Sequence, residues 1–120
     1  MDFKISQITI AVTNMDAMVK FYENVFGLKL QSFDAYGSTL YSGKMGDFVL
    51  MLCPKEVAGV TAEQTRHQFD YVIADADAVV KAVKEWGGEL MNDVQVSESS
   101  KIASIRDPDG NTMVFIQSLE

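Results

Sequence analysis

The sequence has 120 residues, of which 48% are hydrophobic and two are proline, and its formal net charge at pH 7 is −7. This length predicts one domain, and the composition excludes a disordered chain. The negative charge argues against nucleic acids and anionic membranes as partners, because both would repel the chain.

The sequence carries no sign of export or of a membrane-spanning segment. No apolar run approaches the roughly 18–20 residues that a membrane-spanning helix needs. The N-terminal residues MDFKISQ lack a basic stretch followed by an apolar one, so we expect no signal peptide and a cytoplasmic location. Cys53 is the single cysteine and cannot form an intrachain disulfide. Its one basic neighbour is Lys55, so we interpret Cys53 as inert rather than reactive.

The first half of the chain begins with a strand and a helix. Residues 7–12 alternate between apolar and other side chains, a pattern typical of a half-buried strand. The helix that follows has Thr13 or Asn14 as its N-cap and Gly27 as its stop.

Three strands and a linker complete the first half. Residues 28–34 and 38–43 predict a hairpin around residues 35–37, and residues 47–53 predict a further strand. Residues 54–66 include a proline and little strand signal, which indicates a linker.

The second half follows the same plan. Residues 68–73 alternate, and a helix begins after Asp75 and stops at Gly87 and Gly88. Two strands, a tight DPDG turn and a closing strand are predicted to follow, at residues 89–96, 101–106, 107–110 and 111–117.

The two halves also match residue by residue. Gln7 falls on Gln68 and Lys20 on Lys81, and GDFVLML at 46–52 lies over GNTMVFI at 110–116. The sequence therefore predicts an internal repeat, residues 1–53 and 67–120, joined by the linker 54–66. Because half a chain of this size is marginal alone, we expect both repeats to form a single domain over residues 1–120.

Two segments carry a resemblance to a known family. ITIAVTNMDAMVKFYENVFGLKL and RDPDGNTMVFIQ resemble the opening and closing segments of the vicinal oxygen chelate superfamily. That superfamily includes glyoxalase I, extradiol dioxygenases and bleomycin-resistance proteins. The resemblance implies an α+β fold of two tandem βαβββ modules, which form a cup-shaped mixed sheet with helices outside. It also implies a homodimer.

The resemblance further locates four positions where metal-dependent members carry ligands. These are a His on the first strand of each half and a Glu on the last, and they correspond here to Gln7, Leu50, Gln68 and Val114. Leucine and valine have no lone pair to donate, and neutral amides are weak ligands beside imidazole or carboxylate. We therefore predict no metal and no cofactor.

Strand alternation predicts which side chains line the cup. The predicted ligand-binding interior is mostly apolar and consists of Gln7, Thr9, Phe48, Leu50, Leu52, Gln68, Asp70, Thr112, Val114 and Ile116. Asp70 contacts a ligand cation, acts as a base in the enzyme alternative, or bonds a neighbour at the rim. His67 turns inward only if the strand slips by one residue, so we place it at the boundary of linker and strand.

These features favour one function and leave others open. We expect a metal-independent small-molecule binding protein that resembles the bleomycin-resistance proteins and sequesters a cationic or aromatic ligand. The alternatives are a glyoxalase-like lyase or isomerase and a non-catalytic partner-binding module. No catalytic residue is assigned.

Overall fold

The computed structural model describes residues 5–59 and 67–120. The chain divides into two compact units, Met1–Thr61 and Ala62–Glu120. Among the helices within the described ranges, none is both long and apolar enough to cross a membrane.

In its described residues, 5–59, unit 1 contains one four-stranded sheet and two helices. Its strands lie in the order β1-β4-β3-β2. The pairing of β1 with β4 is parallel, and the other pairs are antiparallel. Its elements are β1 (Gln7–Val12), α1 (Met15–Val25), β2 (Gln31–Ala35), β3 (Ser38–Met45), β4 (Phe48–Pro54) and α2 (Lys55–Ala58).

Local signals explain where α1 begins and which side it buries. The Asn14 side chain accepts a hydrogen bond from the backbone N–H of Ala17 at 3.2 Å, which confirms Asn14 as the N-cap. The buried residues of α1 are Met18, Phe21 and Tyr22, which recur at helical spacing. The helix contacts β4 and therefore covers one face of the sheet.

The β2–β3 hairpin turns through two residues, Tyr36 and Gly37. Both have positive φ angles, 54° and 71°. This is the conformation of the two-residue turn whose twist matches that of the flanking strands. The predicted hairpin is therefore confirmed, although β2 begins at Gln31 rather than at residue 28.

Unit 2 repeats this order of elements with one interruption. Its main sheet path is β5-β9-β8-β6, and β7 also pairs with β8. The prediction of one strand over residues 89–96 is wrong, because residues 91–94, which include Asn92 and Asp93 with their low strand propensity, separate β6 from β7. The elements are β5 (Phe69–Val72), α3 (Ala76–Glu85), β6 (Glu89–Leu90), β7 (Gln95–Val96), β8 (Ser100–Arg106) and β9 (Thr112–Ser118).

Helix α3 is capped from two directions. The Asp75 side chain accepts from the N–H of Ala78 at 3.1 Å, as predicted for an N-cap. Gln117, on the closing strand, accepts from the N–H of Ala76 at 2.8 Å. The start of α3 is thus hydrogen-bonded to the closing strand, β9.

The DPDG turn is organised by a buried carboxylate. Asp107 is 3% exposed and accepts from the backbone N–H groups of Asp109 and Asn111 at 3.0 and 2.9 Å. It also accepts from the Asn111 side-chain amide at 2.9 Å. Gly110 has a φ of 89°, so the predicted need for glycine there is confirmed.

Each unit is therefore a βαβββ module, with the second strand of unit 2 broken into β6 and β7. This confirms the α+β class and the modular plan. The cup between the modules stays a prediction. Within the predicted linker, residues 55–58 form the short helix α2, and residues 60–66 lie outside the described ranges.

Candidate functional site

The sheet of unit 1 has one face that α1 does not cover. Residues paired across strands project to the same face, so the register identifies its members. The face that α1 covers carries Leu50 and Leu52, which are 1% and 0% exposed. We call the other side the helix-free face of unit 1; it carries Gln7, Thr9, Ser42, Lys44, Val49 and Met51.

Gln7 lies along this face rather than away from it. Its amide nitrogen donates to the Thr9 hydroxyl at 2.9 Å and approaches the Met51 sulfur at 3.9 Å. The structure thus brings the two predicted residues of β1 together and adds Met51, which the sequence reasoning did not select.

The prediction that Phe48, Leu50 and Leu52 share the face of Gln7 is wrong. Leu50 is paired with Ile8, and Leu52 with Ile10, so these leucines lie on the opposite face. Phe48 has the same parity as the leucines. These three residues belong to the side of the sheet that is buried beneath α1.

Turn length explains the error. The turn between β3 and β4 has two residues, 46 and 47, whereas the turn between β8 and β9 has five, 107 to 111. Counting from the turn glycine therefore reaches different faces in the two halves. Thr9 pairs with Met51 as Asp70 pairs with Val114, so Met51 is the counterpart of Val114. A comparison of the two turn lengths could have identified Met51 from the sequence.

Unit 2 has a helix-free face of its own. Asp70 pairs with Val114, Val114 with Ser104, and Thr112 with Arg106, so these side chains share one face. The opposite face carries the buried side chains of Ala103, Ile105, Met113 and Phe115, and α3 contacts β8 and β9. Helix α3 thus covers one face only, as α1 does in unit 1. Ile116 is also on the helix-free face, paired with Ile102.

The predicted polar residues of the second half lie at the edge of this face. Asp70 is exposed, and Gln68, two residues earlier, precedes β5 and has the same parity. His67 is exposed and has the opposite parity, which agrees with its predicted place just before the strand. The faces of Gln68, Asp70, Thr112 and Val114 are as predicted, whereas ligand binding by them stays a prediction.

The donor chemistry at the four family positions does not fit a catalytic metal. With Met51 in place of Leu50, these positions hold Gln7, Met51, Gln68 and Val114, none of which carries a charge. Catalytic zinc uses about three protein ligands drawn from His, Cys, Asp and Glu. In the described part of the chain, no three or more such side chains are placed to share a metal ion.

The remaining potential nucleophile is buried. Cys53 is 4% exposed at the end of β4, where α2 contacts β1 and β4. Burial raises the pKa of the Cys53 thiol and so disfavours the reactive thiolate. The arrangement favours the interpretation of Cys53 as an inert core residue.

A groove opens at one corner of the unit 1 sheet. It has a volume of about 550 Å³, and all of its lining belongs to unit 1. The groove begins on the helix-free face and continues past the sheet edge. Its lining residues are Gly27, Leu28, Lys29, Gln31, Ser42, Gly43, Lys44 and Val49.

Fold and site together define a protein of two βαβββ modules, in each of which the long helix, α1 or α3, leaves one face of the sheet uncovered. The family model described as "Glyoxalase/Bleomycin resistance protein/Dioxygenase superfamily" matches residues 4–115. The chain belongs to this superfamily, and the resemblance to vicinal oxygen chelate proteins is confirmed. Among curated proteins, none matches the sequence significantly.

Solved structures share the fold at low sequence identity. A hypothetical protein from S. aureus has a TM-score of 0.77 at 19% identity, over 98% of this chain and 95% of its own. An antibiotic binding protein from a Streptomyces species has a TM-score of 0.72 at 17% identity, over 98% and 97%. A lactoylglutathione lyase from Agrobacterium tumefaciens has a TM-score of 0.69 at 21% identity, over 95% and 92%. These neighbours include a binding protein and an enzyme, so the fold alone does not choose between the two functions.

Proposed function

We propose that this chain is a metal-independent small-molecule binding protein that holds its ligand against the helix-free faces of its sheets. The observation that supports it most is the uncharged character of Gln7, Met51, Gln68 and Val114, the positions to which the family resemblance assigns metal ligands. A mostly apolar surface with a small number of placed polar groups is typical of small-molecule sites.

Exposed polar groups support ligand recognition on both units. Gln7 offers an amide that already spans Thr9 and Met51, so its position is set before a ligand arrives. In unit 2, Asp70 places a carboxylate beside Val114. A carboxylate next to an apolar side chain suits a cationic or aromatic amine, which is the class of ligand that we propose. The antibiotic binding protein among the structural neighbours is consistent with such a role.

Metal analysis tests the first part of this proposal. The protein is expressed in medium supplemented with zinc, nickel, manganese and iron, purified without chelator, and analysed by inductively coupled plasma mass spectrometry. We expect far less than one equivalent of any of these metals. One equivalent that only a chelator removes, together with turnover of the methylglyoxal hemithioacetal, would support the glyoxalase-like alternative instead.

A ligand screen tests the second part. Thermal-shift measurements compare aromatic amines with neutral analogues of the same shape, and a bound ligand raises the melting temperature. We expect the Asp70→Asn variant to lose the shift caused by the amine. Asp93→Asn is the matched control, because Asp93 is exposed and lies between β6 and β7. An amine shift that persists in Asp70→Asn would remove Asp70 from the site.

The family resemblance also leads us to propose a homodimer. Sedimentation velocity over a hundredfold range of protein concentration measures the association directly. A species of twice the chain mass of 13.3 kDa is expected, and a monomer at every concentration would refute this part.

A further inference from the structure

We propose that the groove at the corner of the unit 1 sheet binds the carboxylate or phosphate group of a small organic anion between Lys29 and Lys44. This goes beyond the proposed function, because it assigns a ligand of the opposite charge to the corner where the helix-free face of unit 1 meets the sheet edge. An anion can occupy it whether or not a cation binds elsewhere.

The groove exists because two strands have unequal lengths. Strand β3 pairs with β2 only as far as Ser42, which is level with Gln31. The last residues of β3, Gly43 to Met45, pair with β4 alone. The side of β3 that faces β2 therefore has no strand beside it here, and the groove occupies that corner.

The segment that leads into β2 forms the wall of the groove. A Cβ atom on Gly43 would lie 2.5 Å from the carbonyl oxygen of Lys29 and 3.0 Å from Leu30 Cδ2. Gly43 pairs with Leu50, so the glycine lets this segment pack directly against β3 from the face that α1 covers, at the sheet edge where the groove continues. The Glu23 carboxylate accepts from the N–H of Leu30 at 3.3 Å and fixes the same segment from α1. Lys29 is therefore carried on an anchored backbone.

The equivalent corner of unit 2 has balanced charges. Arg106 is level with Thr112 in unit 2, as Lys44 is level with Val49 in unit 1. Arg106 forms an ion pair with Glu89 of β6, at 3.0 Å. In unit 1 no paired strand fills the corner. In unit 1 the charged residue that corresponds most nearly to Glu89 is Lys29, and its charge is positive rather than negative.

Lys29 and Lys44, both exposed, therefore line the groove, with no acid among its described lining residues. In the described part of the chain, the ion pairs are Lys101 with Asp77 and Arg106 with Glu89, so neither groove lysine is neutralised by one. Like charges that share a groove repel, and an oxyanion between them would relieve that repulsion.

The rest of the lining indicates the body of the ligand. Gln31 and Ser42 add hydrogen-bonding groups on the same face as Lys44, whereas Leu28 and Val49 are apolar. The volume of about 550 Å³ exceeds that of a bare inorganic ion and lies in the range of small-molecule sites, roughly 300–1,000 Å³. A carboxylate or phosphate attached to a ring or a short chain matches this lining.

Ligands matched in shape but not in charge test the proposal. Benzoate, phenyl phosphate and benzylammonium are titrated into isotopically labelled protein at constant ionic strength, and amide chemical shifts are followed by NMR. We expect saturable shifts at residues 28–31 and 42–44 with one or both anions, and none with benzylammonium. The tighter anion identifies the group that the groove prefers. Failure of both anions to saturate, or equal shifts with the cation, would overturn the proposal.

Variants that remove or keep the lysine charges provide a second test of anion binding. Lys29→Gln with Lys44→Gln is expected to weaken anion binding by about tenfold or more, since each charged hydrogen bond is removed. Lys81→Gln with Lys84→Gln lowers the net charge equally on α3 and is expected to leave binding unchanged. Lys44→Arg, which keeps the charge, is expected to retain binding. Equal weakening by both double variants would mean a general charge effect and would refute a local site.

Discussion

The side-chain amide of Gln7 lies 3.9 Å from the sulfur of Met51, and this contact shows that Met51 of β4 lies on the same face of the sheet as Gln7 of β1. Leu50, one residue earlier, is level with Ile8 and is buried. Because side chains alternate along a strand, the neighbouring residues Leu50 and Met51 have opposite environments. One belongs to the core beneath α1 and the other to the helix-free face.

Alanine substitutions distinguish these two environments. Leu50→Ala is expected to lower the free energy of unfolding by about 2–5 kcal/mol, because it leaves a cavity in a fully buried site. Met51→Ala is expected to cost about 1 kcal/mol or less, since its side chain is half-buried. Urea denaturation measures both. A larger loss for Met51→Ala than for Leu50→Ala would contradict the register described here.

The pH dependence of stability is expected to report on Tyr71. Burial, and then the negative charge of Asp107, raise the pKa of the Tyr71 phenol in the folded protein. Below about pH 10, the usual tyrosine pKa, folded and unfolded chains both keep the proton and the contribution to stability is complete. Above it the unfolded chain ionises first, so stability falls as the pH rises towards the folded pKa. Urea denaturation between pH 8 and pH 11 measures this decline.

Two variants separate Tyr71 from other causes of that decline. Tyr71→Phe is expected to flatten the fall in stability above about pH 10, because no proton remains to be lost. Tyr36→Phe is the control, since Tyr36 is 84% exposed at the hairpin turn. Asp107→Asn is expected to lower the pKa of Tyr71 towards its usual value in a spectroscopic titration. An unchanged pH profile in Tyr71→Phe would rule out this assignment.

The sequence predicted the fold well where the determinants are local. The sequence predicts Asp75 as one cap and Thr13 or Asn14 as the other, because a short polar side chain at a helix start bonds the N–H three residues on, and the structure selects Asn14. The DPDG turn was recognised because Gly110 needs a positive φ angle. Each signal involves residues within a few positions of one another, so no tertiary information was required.

The candidate site was harder to predict, because it depends on register between distant strands. The alternation of side chains along β1 was predicted correctly. The residues of β4 that share its faces were harder to predict, because they depend on the length of the β3–β4 turn, which differs from that of the equivalent turn in unit 2. Moving one strand by a single residue exchanges its two faces, and for this reason Leu50 was selected in place of Met51. The lysine groove was not foreseen either, since Lys29 precedes β2 and lines the same groove as Lys44 only because β2 does not extend along the end of β3.

Gln117 is expected to stabilise α3 from the end of the chain. Its side chain accepts from the N–H of Ala76, one of the donors at the helix start that have no partner within the helix. Gln117→Ala is therefore expected to cost about 1 kcal/mol of unfolding free energy. Gln95→Ala, at an exposed position in β7, is the matched control and is expected to cost less than about 0.5 kcal/mol. Equal stability of the two variants in urea would mean that the Gln117 bond is not formed in solution.

Gly43 is expected to resist substitution because of the chain packed against it. In Gly43→Ala the new Cβ atom would lie 2.5 Å from the Lys29 carbonyl oxygen, a distance that forces the backbone of residues 28–30 to move. We expect a loss of about 1–3 kcal/mol in urea denaturation, typical of overpacking. The shift of Lys29 away from Lys44 is also expected to weaken benzoate binding.

Ser42→Ala is the control for Gly43→Ala, since it changes the neighbouring residue of β3 without adding bulk. It is expected to cost less than Gly43→Ala and to leave the amide resonances of residues 28–30 in place. If Gly43→Ala is as stable as the native chain and those resonances do not move, the segment does not pack on β3 as described. The wall of the proposed anion groove would then be altered, because the packing of residues 29 and 30 on Gly43 helps to hold that wall in place.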